Sequence, residues 1–240
     1  MAVVVIVLVG LAVLAGVWWS YVRKRRRAQA LAVFATQYDF EFSPRDAFDL
    51  TSYPFRLFGQ GDGRGCENVL VGSWQGLPAR EADYWYYTQS TDSQGRTSRQ
   101  YHYFSVVVAD LECAVPDVLI EREGVLSRIA DHLGFHDIEF ESEEFNRRFR
   151  VKAADREFAF KVVDDRMMTW LLSTDGSFGF EANGVNLLVS TKRLDPSALP
   201  RLFGTAKAFV DHVPRLVWNE YGTRQQAPKV AGADQGGSEP

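Results

Sequence analysis

The chain opens with an unbroken apolar run, after which apolar and polar residues alternate at helical and strand periods. No charge occurs between Ala2 and Val22. A helix of that length rises about 31 Å, close to the thickness of the hydrocarbon core of a bilayer. Aromatic rings that favour the headgroup level close the run, at Trp18, Trp19 and Tyr21. We therefore predict a transmembrane helix over residues 1–22.

Five consecutive cations follow the apolar run: Arg23, Lys24, Arg25, Arg26 and Arg27. A cleavable signal peptide places its basic residues before the apolar core, so the order here favours a retained anchor. Basic residues that flank a span stay in the cytoplasm, which predicts an external N-terminus and a cytoplasmic soluble domain. The five side chains are predicted to contact lipid headgroups.

Helical spacing continues beyond the cations, in Leu31, Phe34, Ala35 and Tyr38. It predicts a basic juxtamembrane helix over residues 23–38. A soluble domain over residues 39–221 should follow, either as one unit or as halves at 39–113 and 114–221. Strand patterns separated by glycine-rich turns dominate between Pro54 and Leu111, and a long amphipathic helix is predicted from about Ala198 past Phe209. The expected fold class is α+β.

The second half contains several helix and turn signals. Helices are predicted over Gly124 to Leu133 and after the capping residues Ser142, Asp155 and Asp164. Asn183-Gly184 between two apolar runs predicts a β-hairpin. Residues 222–240 lack a buried periodicity and are predicted to be a disordered tail.

Two aromatic strands are predicted at Ala79 to Thr88 and Gln100 to Leu111, joined by a polar loop. Cross-strand aromatic pairs stabilise sheets, which is the simpler interpretation. The alternative is a binding face, because aromatic residues are enriched at interfaces. The candidate partner surface consists of Tyr84, Tyr86, Tyr101 and Tyr103.

Charge excludes one class of partner. Of the 27 cations, five belong to the basic run, so 22 remain in the soluble part against all 31 acidic residues, a net charge near −9. A nucleic-acid partner is not expected, since such binders neutralise phosphates with basic residues. Cys66 and Cys113 are the only cysteines, and each is interpreted as a buried, unreactive thiol.

No catalytic, cofactor or metal site is predicted. The glycines between Gly59 and Gly65 fit neither nucleotide-binding fingerprint. His132 and His136 have the spacing of metal ligands, but Gly134 should end the helix between them. His102 could act as a base with Asp83, although nothing in the sequence places the pair in a cleft.

Several segments resemble an uncharacterised family of bacterial, notably actinobacterial, single-pass membrane proteins that carry a domain of unknown function. The segments that carry the resemblance are Arg23 to Arg27, Asn68 to Gly72, Glu144 to Phe149 with Val151 and Asp155, and Met168 to Leu172. The resemblance implies a membrane-anchored protein, and it transfers no catalytic residue.

These observations lead to a first hypothesis: a membrane-anchored cytoplasmic interaction or scaffold module. Its expected partners are the lipid bilayer and another protein at the inner membrane face. Two alternatives remain open from sequence. One is an enzyme of unrecognised type at the membrane surface, and the other is a domain that binds a lipid or another apolar ligand.

Overall fold

A computed structural model describes residues 2–122 and 135–226 of the chain. The described helices are α1 (Ala2–Tyr38), α2 (Glu143–Arg148), α3 (Arg156–Val162), α4 (Asp165–Ser173), α5 (Leu199–His212) and α6 (Arg215–Gln226). The described strands are β1 (Glu41–Arg45), β2 (Gly63–Trp74), β3 (Leu77–Thr91), β4 (Thr97–Arg122), β5 (His136–Ile138), β6 (Phe149–Ala153) and β7 (Gly179–Lys192). The helix predicted over Gly124 to Leu133 lies outside the described residues.

The described strands form one antiparallel sheet in the order β1-β2-β3-β4-β6-β5, and β7 also pairs with β4. β4 is the central strand of this sheet. Its first half lies between β3 and β7, and its second half lies between β6 and β7. The α+β prediction is confirmed, with an apolar N-terminal helix, an antiparallel sheet and C-terminal helices.

The segment boundaries expected from sequence are changed in three places. Residues 2–22 and 23–38 form one uninterrupted helix, α1. The boundary between residues 113 and 114 falls inside β4, so both halves contribute to the same sheet. Residues 222–226 belong to α6, and the rest of the expected tail lies outside the described residues.

The hairpin prediction at Asn183-Gly184 is wrong. Both residues lie within β7, which pairs with β4 on either side of them. Gly184 has a φ of 55°, and the β4–β7 register shifts on both sides of the Val115–Gly184 pair. The left-handed conformation of Gly184 would suit a tight turn, but here it forms a bulge. The bulge bends β7 without interrupting it.

The β4–β7 ribbon is strongly curved around this bulge. Thr191 Oγ1 donates a hydrogen bond of 2.8 Å to the carbonyl oxygen of Ser177, although the two residues are 14 positions apart. Fourteen extended residues would span about 46 Å. The ribbon therefore curls until the two ends of β7 meet, giving the sheet a concave face.

Apolar clusters cover both faces of the sheet. On the outer face, α1, α5 and α6 pack over a large cluster that includes Leu31, Phe34 and Phe203. The concave face holds a smaller cluster that includes Leu50, and in it Phe58, from the loop before β2, packs against Tyr84. Successive residues of a strand face opposite sides, so β3 contributes to both clusters.

The three predicted helix caps are confirmed. Ser142 Oγ accepts from the Phe145 amide, an Asp155 oxygen accepts from the Phe158 amide, and an Asp164 oxygen accepts from the Met167 amide. Each bond satisfies a backbone donor that the first helical turn leaves without an intrahelical partner. These caps begin α2, α3 and α4, respectively.

Candidate functional site: the anchor clamp and the aromatic hairpin

A buried ion pair joins α1 to the sheet. Arg27 Nε and Nη2 donate to the two carboxylate oxygens of Asp83 at 2.6 and 2.5 Å, and Nη1 donates to the Leu194 carbonyl at 2.7 Å. The side chains of Arg27 and Asp83 are only 13% and 1% exposed. A two-pronged guanidinium–carboxylate contact fixes orientation as well as distance. We call this contact the anchor clamp.

Two further donors surround the carboxylate of the clamp. Arg193 Nη2 and Asn68 Nδ2 each donate to Asp83 Oδ2 at 2.9 Å. Asn68 has a φ of 57° and sits where one extra residue of β2 interrupts its register with β3. This bulge turns the amide of Asn68 toward Asp83. Asp83 is therefore fully partnered in spite of its burial.

Glu81 lies two residues from Asp83 on the same face of β3 and is completely buried. Neither of its carboxylate oxygens has a hydrogen-bond partner. Burial, together with the nearby charge of Asp83, raises the pKa of Glu81 well above its ordinary value. The clamp therefore contains, beside Asp83, a carboxyl group whose pKa is raised by its burial.

The clamp corrects the prediction for Arg27, since its guanidinium is held by the domain. Lys24 lies on the same side of α1, with Nζ 3.7 Å from Glu67 Oε2. Arg23, Arg25 and Arg26 are exposed, and their contact with headgroups stays a prediction. The sequence spacing could have indicated that Arg27 faces the domain. Positions 24, 27, 31, 34 and 38 lie on one side of a helix, and the later members of this set are apolar.

α1 runs beside β2 and β3. The Tyr38 ring contacts Trp74 at the Leu77 end of β3, with centroids 5.2 Å apart, and Lys24 reaches Glu67 opposite Asp83. The 14 residues between these contacts on α1 span about 21 Å, and the seven residues of β2 span about 23 Å. Helix and strands thus run side by side. The apolar half of α1 and the β3–β4 hairpin point the same way.

The predicted partner surface divides between the two faces of the hairpin. Tyr84 and Tyr86 are 1% and 8% exposed and pack in the concave cluster, so the prediction is corrected for both. Tyr101 and Tyr103 are 45% and 46% exposed on the other face. Because the side-chain period of a strand is two, register decides this division. Tyr84 pairs with Phe104, whereas Trp85 pairs with Tyr103.

The exposed face carries a continuous set of rings, which we call the hairpin stripe: Trp85, Tyr87, Tyr101 and Tyr103. Neighbouring ring centroids in it lie 5.4 to 6.4 Å apart. β2 presents Gly63 opposite Tyr87 and Gly65 opposite Trp85. A methyl group at Gly63 would lie 2.4 Å from the Tyr87 ring, so these glycines let the rings cover the neighbouring strand. The sequence placed Trp85 and Tyr87 in the predicted aromatic strand, but the predicted partner surface left them out, although the Gly-x-Gly spacing matches the Trp-x-Tyr spacing.

An open groove of about 900 Å³ lies at the mouth of the concave face. Its lining includes Tyr86, His102 and Phe104, the stripe residues Tyr101 and Tyr103, and the polar residues Glu121 and Ser190. Its rim includes Arg122, after which residues 123–134 lie outside the described part. Aromatic rings beside a few polar groups are the usual lining of a ligand pocket.

Two buried glutamates lie at the groove: Glu121 lines it, and Glu181 shares a small adjoining cavity with Glu121. Glu121 and Glu181 are 8% and 7% exposed, and burial raises the pKa of each to about 7. The Glu181 carboxylate accepts a 2.7 Å hydrogen bond from the Arg56 amide. The charge of Arg56 opposes both shifts, but desolvation is the larger effect.

The remaining candidate catalytic and metal-ligating residues do not come together in the described structure. His102 stacks on Tyr86, with ring centroids 4.7 Å apart, on the concave face, whereas Asp83 lies on the outer face. His136 is in β5, and His132 lies outside the described residues. Within residues 2–122 and 135–226, no group of three or more metal-ligating side chains is found. Cys66 and Cys113 are free thiols in this structure.

α1 is, within the described ranges, the one helix long and apolar enough to cross a membrane. Its large apolar side chains are exposed, as at Leu14 (68%) and Trp18 (68%). Exposed apolar area of this extent is unusual in water. Length and composition alone identify this helix as a candidate span.

No family model matches the chain, and no curated protein matches it by sequence. The structure is similar to the crystal structure of the mycobacterial trehalose monomycolate transport factor A, TtfA. The TM-score is 0.54 at 15% sequence identity, and the match covers 79% of this chain and 95% of the other. At this identity the likeness shows a shared fold. Its mycobacterial origin agrees with the actinobacterial resemblance of the sequence.

Proposed function

We propose that this protein is a membrane-anchored, non-enzymatic scaffold at the cytoplasmic face, which serves the transport of an envelope lipid. The observation that carries the proposal is the anchor clamp. α1 continues without a break from its apolar half into the core, and Arg27 locks it to Asp83. A tether that only kept the domain near a membrane would need no such lock.

The clamp makes the anchor and the domain one rigid piece. A flexible linker fixes neither distance nor orientation, since its ends explore a random coil. By contrast, α1 places about two helical turns, from Leu31 to Tyr38, in the outer cluster. A partner in the same bilayer would therefore always meet the same surface of the domain.

Two observations support the location and the process. The basic run after the apolar segment favours a cytoplasmic domain. The fold is that of a protein whose name is a trehalose monomycolate transport factor. An accessory role in moving a lipid with a large polar head fits an anchored domain without a recognised catalytic constellation.

The proposal is tested by uncoupling anchor and domain. In a host lacking the gene, envelope lipids are quantified by mass spectrometry after complementation with the wild-type chain or with a Gly-Ser linker inserted between Val22 and Arg23. The linker leaves the span and the clamp intact. We expect the linker variant to reach the membrane but to accumulate unexported lipid, whereas an alanine insertion of two helical turns, which preserves rigidity, should retain more function.

Two results would contradict the proposal. Unchanged lipid levels in the deletion strain would remove the transport role. Full complementation by the flexible variant would remove the scaffold role. A reporter fused after Pro240 that matures only in the cytoplasm tests the orientation separately.

A second candidate function rests on the groove. Its volume of about 900 Å³ is in the range of small-molecule sites, and its aromatic side suits an amphiphile. Native mass spectrometry of the purified full chain would show a bound lipid. Replacing His102 with Asp at the groove should then reduce its occupancy, whereas Thr169→Asp, at an exposed position of α4 that does not line the groove, should not.

A further inference from the structure

We propose that the hairpin stripe is a second membrane contact, lying in the headgroup layer of the leaflet that α1 enters. The inference rests on the proposed membrane span of α1 and adds a surface to it. Its occupant is the lipid bilayer. The stripe consists of Trp85, Tyr87, Tyr101 and Tyr103, as defined above.

Position is the first argument. Trp85 and Tyr87 lie two and four residues beyond Asp83 on β3, which is about 7 and 13 Å along the strand. The same distances measured from Arg27 along α1 correspond to between four and nine residues. They end between Arg23 and Trp18, where the basic run meets the apolar run. The stripe is therefore level with the expected membrane boundary.

Orientation is the second argument. Asp83, Trp85 and Tyr87 are two residues apart along β3 and therefore share one face, and α1 packs on that face. The stripe thus lies on the same side of the sheet as the span. On the opposite face of the hairpin, Tyr86, Gln100 and His102 line the groove, and Tyr101 and Tyr103 of the stripe also border it. A bilayer that surrounds α1 meets the stripe before it meets the groove.

Composition is the third argument. Trp and Tyr are the residues enriched at membrane–water interfaces, because an apolar ring and a polar tip suit that layer. Two cations lie over these rings: the Arg99 guanidinium is 4.7 Å from the Tyr87 centroid, and that of Arg193 is 5.6 Å from the Tyr103 centroid. Arg193 is already paired with Asp83, so the attraction to anionic headgroups is expected from the exposed Arg99.

The polar tip of the hairpin limits how deeply the hairpin can enter the membrane. Residues 88–100 contain no apolar side chain and include Asp92, Arg96 and Arg99. Such a segment does not enter hydrocarbon. Adjacent strands are rotated relative to one another, so a long two-stranded ribbon does not have to continue parallel to α1. The hairpin therefore lies along the surface, with its stripe toward the lipid and its tip in water or among headgroups.

The experiment uses adjacent residues on opposite faces. In the full chain with Cys66→Ala and Cys113→Ala, reconstituted into phosphatidylcholine–phosphatidylglycerol vesicles, an environment-sensitive fluorophore is attached to Tyr101→Cys or Gln100→Cys. A third variant, Leu14→Cys, reports the span. Quenching is measured with lipids that carry a nitroxide on the headgroup or on the acyl chain.

We expect headgroup nitroxides to quench the label at position 101 at least threefold more than the label at position 100. Acyl-chain nitroxides should quench the label at position 14. Equal, weak quenching at 100 and 101 with strong quenching at 14 would overturn the stripe contact and leave the anchor standing. Lack of quenching at position 14 would overturn the span itself, and the stripe contact with it.

If the cysteine-free chain does not fold, a photo-crosslinking phenylalanine analogue at position 101 or 100 of the otherwise unchanged chain answers the same question. Lipid adducts at 101 and not at 100 are the expected result. Adducts to a protein at 101 without lipid adducts would overturn the proposal in favour of a protein-docking face.

Discussion

Arg27 and Asp83 form a doubly hydrogen-bonded ion pair between residues 56 positions apart, one at the end of the basic run and one in the middle of the sheet. Through this pair, one of the five consecutive cations after the apolar run makes a tertiary contact with the sheet. Four of these cations keep an exposed side chain, and the fifth fixes the helix to the domain. The same run thereby lies at the expected membrane boundary and fixes the orientation of the sheet relative to α1.

The clamp predicts a large cost for removing its acid. Asp83→Ala leaves Arg27 buried without its carboxylate, and breaking one side of a buried pair costs about 3 to 5 kcal/mol. The partly exposed pair Arg80–Asp110, at 2.6 Å, is the matched control. Asp110→Ala should cost at most about 1 kcal/mol. Chemical denaturation of the full chain in detergent measures both, and similar costs would contradict a structural role for the clamp.

Alanine substitutions at Gly61 and Gly76 distinguish the cost of backbone strain from the cost of a steric clash. Both have a positive φ, 72° and 84°. A methyl group at Gly61 would lie 2.5 Å from the Tyr87 carbonyl oxygen, whereas one at Gly76 would meet open space. Gly76→Ala should cost about 1 to 2 kcal/mol from the left-handed conformation alone. Gly61→Ala should cost clearly more, and equal shifts in thermal midpoint would contradict the contact with β3.

The two buried glutamates at the groove predict a fall in the free energy of unfolding as pH rises. Burial raises the pKa of Glu121 and of Glu181 to about 7, above an unfolded value of about 4.3. Their protonated forms favour the folded state fully below pH 4, and that contribution is lost as pH rises through 7. Glu181→Gln should therefore stabilise the chain at pH 8, by up to about 3 kcal/mol, and hardly at pH 4.

The control for this pH effect is Glu41→Gln, because Glu41 is exposed. It should leave the pH dependence in place. Urea denaturation of each variant at pH 4, 6 and 8 gives the comparison. A Glu181→Gln gain that is the same at every pH would show that packing, and not ionisation, explains it.

The two thiols should react slowly in the native state. Burial raises the pKa of both Cys66 and Cys113, and the thiolate is the reactive form. Alkylation by iodoacetamide at pH 8, followed by mass spectrometry, should therefore be complete only after denaturation. Rapid native labelling of Cys66 would contradict its packing beside the concave cluster.

Local signals in the sequence predicted local structure well. Side-chain oxygens at Ser142, Asp155 and Asp164 begin helices as expected, because a cap depends on residues within one turn. The apolar and basic runs likewise define α1 without reference to other segments. The α+β class followed from the alternation of strand and helix periods.

The errors arise where a residue far along the chain decides the outcome. Asn183-Gly184 has the composition of a tight turn, but β4 pairs with both flanks and makes it a bulge. Tyr84 and Tyr86 were grouped with Tyr101 and Tyr103 because strand register is not visible in composition. Arg27 was assigned to lipid because its partner, Asp83, lies in a different segment. Helical spacing alone could have placed Arg27 on the buried stripe.

The placement of β4 has a consequence for biosynthesis. β4 ends at Arg122, but β7, which covers its second edge, is complete only at Lys192. At 5 to 20 residues per second, the ribosome needs roughly 4 to 14 s for these 70 residues. During that time α1 has already emerged, while the longest strand of the sheet presents an open hydrogen-bonding edge. Nascent chains that stall before β7 are therefore the ones most exposed to aggregation, and chaperone demand should peak in this interval.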